Sequence, residues 1–327
     1  MKAVTIPQFG PPENMVISEV SDPSFSDKQV LVEVHATALN RADLLQRRGK
    51  YPPPPGESEI LGLECAGRII ACGSSVSHVK VGDRVMALLS GGGYAEKVVI
   101  DARMAIPLPD SLSYVQGAAV PEAFLTAREG LFTLGELEPQ QNVLVHAAAG
   151  GVGSAAVQLA RATGANVFAT AGTPEKLKFV ESLGAKLAIN YKTTDFADVI
   201  LAETQKSGVH VILDFIGASY WEKHAKCMAS GGRCVVIGVM GGAQASVNFG
   251  ALLFKRLQIL GLVMRTRPLI DKIAMTQRFI RESLPLLASG HLKPIIDEVY
   301  TMGRVAEAHQ RMEDNANIGK IILKIRD

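Results

Sequence analysis

The sequence predicts an α/β protein in which a doubly wound parallel sheet is inserted into a mostly β domain. Three observations carry this. From Gln141 to Met264, short β-branched runs alternate with amphipathic runs of helical period. Before about Tyr114, short apolar runs are separated by Gly, Pro and Asp turns instead. After Met264 a short tail of strand and helix patterns remains, too small to cover its own faces, so it must return to the first segment.

The expected division is 1–122 for the first part of the β domain, 123–264 for the parallel-sheet domain and 265–327 for the return segment. A length of 327 residues agrees with two domains. Early strands are expected at 30–35, 66–72 and 84–88. The inserted sheet takes strands at 142–148, 166–171, 186–190, 209–215, 232–239 and 257–264, with five helices between them. Gly164 and Gly184 stand where helices must stop, and Thr173 before Pro174 supplies an N-cap and a first-turn proline. The tail reads as a helix at 271–288, a strand at 296–300, a helix at 304–313 and a strand at 320–325. Tyr51 to Gly56, YPPPPG, is a stiff local loop.

Composition narrows the function. Apolar residues make up 47% and charged residues 20%, a globular balance, and 34 Lys and Arg against 32 Asp and Glu leave a charge of only +2. That is too little to argue for a nucleic-acid or acidic-membrane partner. The opening MKAVTIPQFGPP lacks a secretory signal pattern, and the most apolar late stretch is broken by Lys255 and Arg256. A cytoplasmic protein with no membrane segment is expected. Cys65, Cys72, Cys227 and Cys234 show no paired spacing, and His35, His78, His210, His224, His291 and His309 show no ligand spacing. Core or surface roles are the reading for all of them, with no metal.

The strand NVLVHAA runs into AAAGGVGSAAVQLARATG, so a glycine-rich turn joins a strand to an apolar helix. Against GxGxxG the three positions are Ala148, Gly150 and Gly153. Missing side chains let the backbone approach a pyrophosphate, and the N–H groups opening the helix supply partial positive charge. Ala149, Gly150, Gly151, Val152 and Gly153 are therefore assigned to a dinucleotide, although the side chains of Val152 and His146 read as structural.

The second strand of such a unit selects the nucleotide, since NAD usually needs a carboxylate at its end. Here the sequence is ATAGTPEKL, with no Asp or Glu at the strand end. Gly172 and Thr173 open a turn, Lys176 follows, and Tyr191 comes after the third strand; together they suit a 2′-phosphate. Glu175 is the dissenting charge, but a first-turn carboxylate answers the helix dipole. NADPH is the expected cofactor.

At this point the chain resembles the medium-chain dehydrogenase/reductase superfamily, and within it the zinc-independent quinone oxidoreductases, most nearly their tumour-suppressor-inducible branch. The resemblance spans the chain through ALNRADLLQRRGKYPPPPG, LGLECAGRI, VGDRVMAL, PEAFLTAREGLF, AAAGGVGSAAVQLAR, LLFKRLQILG and NIGKIIL. It implies a GroES-like catalytic domain carrying the inserted Rossmann domain. It also exposes a departure, because Asn40 and Leu63 occupy the positions of zinc ligands in zinc-dependent relatives. Neither supplies a competent donor.

Without a metal, the acceptor must already be electrophilic: a quinone or an α,β-unsaturated carbonyl. The resemblance implies Asn40 and Tyr51 near nicotinamide and substrate, with Asp43 beside them; Asp43 serves equally as a helix cap. It also implies cofactor contacts at Thr126, Gly238, Met240, Phe254 and Asn317. The apolar sixth strand, LQILGLVM, suits pairing with a second copy in a homodimer. Quinone reduction is the main expectation. An NADPH-dependent enoyl or alkenal reductase is the alternative, and a nucleotide-sensing or RNA-binding protein with little turnover is the alternative of another class.

Overall fold

The computed structural model describes residues 1–326; Asp327, the end of the expected return segment, lies outside the described residues. The chain divides into two compact units, Met1–Leu125 with the chain from Met264 onward, and Thr126–Val263.

In the first unit, β1 (Lys2–Thr5) pairs antiparallel with β2 (Val16–Glu19). β3 (Gln29–Ala38) is the long central strand, burying Val30, Val32, Val34 and Ala36 on alternate positions. After α1 (Arg41–Arg47) come β4 (Glu64–Cys72), β5 (Arg84–Leu88), β6 (Lys97–Asp101), β7 (Ile106–Pro107), α2 (Tyr114–Ala118) and α3 (Pro121–Arg128), whose residues from Thr126 on belong to the second unit.

The second unit is the doubly wound sheet. In chain order it holds β8 (Asn142–Val145), α4 (Gly151–Ala162), β9 (Asn166–Ala171), α5 (Pro174–Ser182), β10 (Leu187–Asn190) and α6 (Phe196–Glu203). Then follow β11 (Val209–Asp214), α7 (Trp221–Cys227), β12 (Met228–Val236), α8 (Phe249–Lys255) and β13 (Gln258–Gly261). All six strands are parallel in the order β10-β9-β8-β11-β12-β13, so the order reverses between β8 and β11. In such sheets ligands bind beyond the strand ends at that reversal. Phe168, Ile189, Phe196, Ile200 and Ile212 are among the apolar groups at its core.

The tail adds α9 (Leu269–Glu282), α10 (Leu284–Ala288), β14 (Ile296–Thr301), α11 (Val305–Glu313) and β15 (Lys320–Lys324). It returns to the first unit: β15 pairs antiparallel with β3, with Leu323 opposite Thr37, and parallel with β14. The sheet order is β14-β15-β3-β4-β5-β7, with β6 on β3.

Several expected elements shift. The single helix over 271–288 is two helices that meet at Ser283, because Pro285 lacks the N–H that would continue the ladder and fits only a first turn. The first inserted strand ends at Val145 rather than 148, since Ala147 takes a left-handed φ of 46° as the chain turns. The fifth ends at Val236 rather than 239, which puts Gly238 and Met240 in the following loop. The sixth spans only Gln258–Gly261. Among the described residues, no helix is long and apolar enough to cross a membrane.

Candidate functional site

The turn between β8 and α4 is bare backbone. Gly150 is the N-cap of α4, extended at φ −79° and ψ 179°, and no side chain caps the helix start. Its opening N–H groups are thus left for an anion. The two fingerprint glycines differ in purpose. A Cβ on Gly153 would lie 2.4 Å from the Ala147 carbonyl oxygen and 2.6 Å from Ala148 Cα, so this glycine lets helix and turn pack. A Cβ on Gly150 would meet only the Ala147 oxygen, at 3.3 Å, and otherwise faces open space. Ala149 is buried, Gly151 and Val152 are half-buried, and His146 is buried in the strand exit.

At the end of β9 no carboxylate follows Ala171. The hydroxyl of Thr173 accepts from the Lys176 N–H at 3.3 Å and caps α5. The Tyr191 phenol hangs over Gly172, where a Cβ would come within 2.8 Å of its oxygen. Tyr191 is 42% exposed and Lys176 half-buried, so the structure brings Gly172, Thr173, Lys176 and Tyr191 to one turn. In the same unit the buried Thr126 hydroxyl has no hydrogen-bond partner. It does not bond back into its own helix, and a ligand would satisfy it. These features fit a bound nicotinamide dinucleotide.

Other expected contacts are less enclosed. Met240 is 51% exposed, and Gly238 packs beside Phe215, whose carbonyl oxygen a Cβ would approach to 3.0 Å. Phe254 is 81% exposed on α8 among exposed Phe249 and Leu253, an arrangement that suits an interface better than a nucleotide pocket. In the first unit, Asn317 donates to the Gly319 carbonyl at 2.8 Å and serves its own loop.

The first unit holds a buried polar network. Asn40, ahead of α1, donates from Nδ2 to Glu64 Oε1 at 2.9 Å and, more weakly, to the Ala38 carbonyl at 3.3 Å. Its Oδ1 accepts from Lys320 Nζ at 2.7 Å. The Asn40 amide thus has partners on both its nitrogen and its oxygen within the chain. Asp43 is engaged as well. Fully buried, it accepts from the Asn40 N–H at 2.7 Å as the reciprocal half of a helix cap, and from the Gly62 N–H at 3.2 Å. The Tyr94 phenol reaches it at 3.3 Å. Burial pushes its carboxyl up to about 6.

Tyr51 stands in a different group. Its ring lies over the Arg265 guanidinium, 5.2 Å from carbon to centroid, and no hydrogen bond to its phenol is present among the described residues. Arg265 donates to the Ser90 carbonyl at 2.6 Å and the Tyr51 carbonyl at 3.2 Å. Lys272 donates to Ser90 Oγ at 2.7 Å and to the Arg265 carbonyl at 3.2 Å. Burial holds both cations below, and the Tyr51 phenol above, their ordinary values. Half-buried Glu122, on α3, is pushed up to about 8 by burial and then by the Glu64 carboxylate, so it carries its proton at neutral pH.

Glu64, Lys320, Arg265, Lys272 and Glu122 were not singled out from the sequence. Glu122 stands in the PEAFLTA run, but nothing local marks it as protonated. Glu64 and Lys320 are 256 positions apart, and only the folded sheet makes them partners. A catalytic zinc does not fit the residues here: Asn40 offers an engaged amide, Leu63 a buried aliphatic side chain, and Glu64 is held by Lys320, Asn40 and the Glu122 N–H.

A doubly wound sheet with an uncapped glycine turn, carried in one chain with a β unit completed by the chain end, defines a nicotinamide-dependent oxidoreductase of two-domain type. Residues 26–110 match the alcohol dehydrogenase GroES-like domain, and residues 151–281 match the zinc-binding dehydrogenase family. Rat quinone oxidoreductase is 32% identical over 330 residues, covering 99% of this chain and 97% of its own. The crystal structure of Escherichia coli quinone oxidoreductase complexed with NADPH superposes with a TM-score of 0.88 at 31% identity, covering 99% of this chain and all of that one. The CurK enoyl reductase structure gives 0.87 at 29% identity, over 99% and 98% of the two chains. The chain belongs to the medium-chain dehydrogenase/reductase superfamily.

Proposed function

We propose that the protein is an NADPH-dependent, metal-independent quinone oxidoreductase. The observation that carries the reading is the donor set at Asn40, Leu63 and Glu64, which does not suit zinc, in the same unit as the Tyr51 phenol, which makes no hydrogen bond among the described residues. When bound, NADPH supplies a hydride. A quinone that takes a hydride becomes a hydroquinone anion and needs one proton.

The chain's residues divide the remaining work. The opening N–H groups of α4 hold the pyrophosphate, and Lys176 with Tyr191 and the Thr173 turn holds the 2′-phosphate. Thr126 bonds on the nicotinamide side. Glu122, neutral at pH 7, supplies the proton, and Tyr51 presents a ring face and phenol to the acceptor. Arg265 beneath that ring favours developing negative charge. Asn40, Glu64 and Lys320 keep this unit rigid.

An enone acceptor is the second reading, favoured by the likeness to the CurK enoyl reductase. The deciding assay is NADPH oxidation with a panel of quinones and enones, with and without chelator. Quinone turnover that survives chelation is expected. Turnover confined to enones favours the second reading, and loss of turnover on chelation with the fold intact by circular dichroism ends the metal-independent one. The four free cysteines suit a reducing cytoplasm. The exposed edge strand β13, with Phe249 and Leu253 exposed on α8, suits a homodimer formed through this edge; light scattering showing only monomer at low concentration would overturn that.

A further inference from the structure

We propose that Asp214, His224 and Cys234 form a divalent-cation site, suited to zinc, inside the parallel-sheet unit. Asp214 ends β11, His224 lies on α7 and Cys234 lies in β12, and all three are buried. Their ligand atoms lie within 4.8 Å of one another.

The spacing is the first argument. His224 Nδ1 stands 3.9 Å from Asp214 Oδ2 and 3.8 Å from Cys234 Sγ. The first is too long for a hydrogen bond, and the second is at best a weak one to sulfur. Two ligands of one tetrahedral zinc, at Zn–N and Zn–O distances near 2 Å and Zn–S near 2.3 Å, lie about 3.3 to 3.6 Å apart. The two pairs that His224 Nδ1 makes would close by about half an ångström or less, and Asp214 and Cys234 already lie within 4.8 Å of each other.

The surroundings are the second argument. His224 Nε2 is 2.9 Å from His146 Nε2, and His146 Nδ1 is 2.8 Å from the Thr170 hydroxyl. If His224 donates its Nε2 proton to His146, and His146 donates from Nδ1 to Thr170, the Nδ1 lone pair of His224 is free for an ion. A ligating histidine steadied through its second nitrogen is the usual arrangement of metal sites. Binding forms a sulfur–metal bond and releases the thiol proton to solvent. One thiolate, one carboxylate and a neutral imidazole then cancel a double positive charge, which a buried position requires. The thiolate and imidazole favour zinc over magnesium or calcium. An ion here would tie β11, α7 and β12 together, next to the turn where Asp214 already accepts from the Ile216 and Gly217 N–H groups.

The test is metal analysis of the full chain expressed in zinc-supplemented medium, then cobalt substitution. About one equivalent of zinc and a thiolate-to-cobalt absorption band are expected, falling below about a tenth of an equivalent in Cys234→Ala and His224→Gln. Cys72→Ala should keep the metal. A wild-type protein that stays metal-free, or Cys234→Ala that still holds one equivalent, overturns the proposal. If the variants do not fold, the wild-type spectrum decides, because bound cobalt without the thiolate band also overturns it. Metal lost from Glu64→Gln but kept by Cys234→Ala would overturn both this site and the metal-independent reading of the first unit.

Discussion

Lys320 Nζ lies 2.7 Å from Glu64 Oε1, and both residues are buried. The ammonium also donates to Asn40 Oδ1 and to the Leu39 carbonyl, each at 2.7 Å, while Glu64 Oε2 accepts from the Glu122 N–H at 2.9 Å. The last strand is thereby keyed to β4 and to the start of α1. Removing one member of such a pair leaves a buried charge uncompensated, so Lys320→Met is expected to cost about 3 to 5 kcal/mol. The double variant Lys320→Met/Glu64→Gln should recover part of that loss. Urea unfolding of the four proteins checks it, and strictly additive single effects would refute the coupling.

Glu122 makes stability depend on pH. Its folded-state value, about 8, lies above the ordinary 4.5 because burial disfavours the charged carboxylate. Its contribution to stability is therefore fully present below pH 4.5 and is lost as pH rises through about 8. The slope from this group is at most about 1.4 kcal/mol per pH unit. Glu122→Gln should flatten unfolding free energy between about pH 6 and 8, leaving the Asp43 contribution, which is lost by about 6. An unchanged profile in the variant would show that the carboxyl is not held neutral. In the proposed reaction the same substitution should remove the decline of kcat above about pH 8.

Much of the fold was legible because its signals are local. Thr173 with Pro174 caps a helix wherever it stands, and Gly164 and Gly184 take the left-handed φ of 80° and 103° that their helix ends require. The break at Ser283 was equally local, but the amphipathic period runs through Pro285 and outweighed it in the reading. The site was legible only in part. Asp43 reads equally well as a cap or as a neighbour of Asn40 and Tyr51 at the site, and its bonds to Gly62 and Tyr94 come from segments that no local pattern links to it. Arg265 and Tyr51 are 214 positions apart, and no periodicity links them. His224 and Cys234 have no ligand spacing in the sequence, since Asp214 completes the set from another strand.

The cofactor preference rests on the turn after β9. Under the proposed NADPH reading, Lys176→Ala would remove a charged hydrogen bond to the 2′-phosphate worth roughly 1.5 to 3 kcal/mol, which should weaken NADPH about 10- to 100-fold and spare NADH. Fluorescence titration with both nucleotides measures it. Equal losses for the two would detach Lys176 from the 2′-phosphate.

The two turn glycines should separate stability from binding. Gly153→Ala places a methyl 2.4 Å from the Ala147 carbonyl oxygen, a backbone atom that can yield only by moving the turn. Such overpacking costs typically about 1 to 3 kcal/mol, so melting should fall even without nucleotide. At Gly150 the nearest atom outside its neighbours is 3.3 Å from the added carbon, and φ of −79° suits alanine. Gly150→Ala should therefore keep its stability within about 0.5 kcal/mol. Its methyl nevertheless faces the space in which a pyrophosphate would approach the backbone, and NADPH affinity should drop about tenfold, or ~1.4 kcal/mol. Thermal unfolding without cofactor, paired with NADPH titration, distinguishes the two effects. Wild-type affinity in Gly150→Ala would remove the anion from this turn, and wild-type melting in Gly153→Ala would show that the contact relaxes without cost.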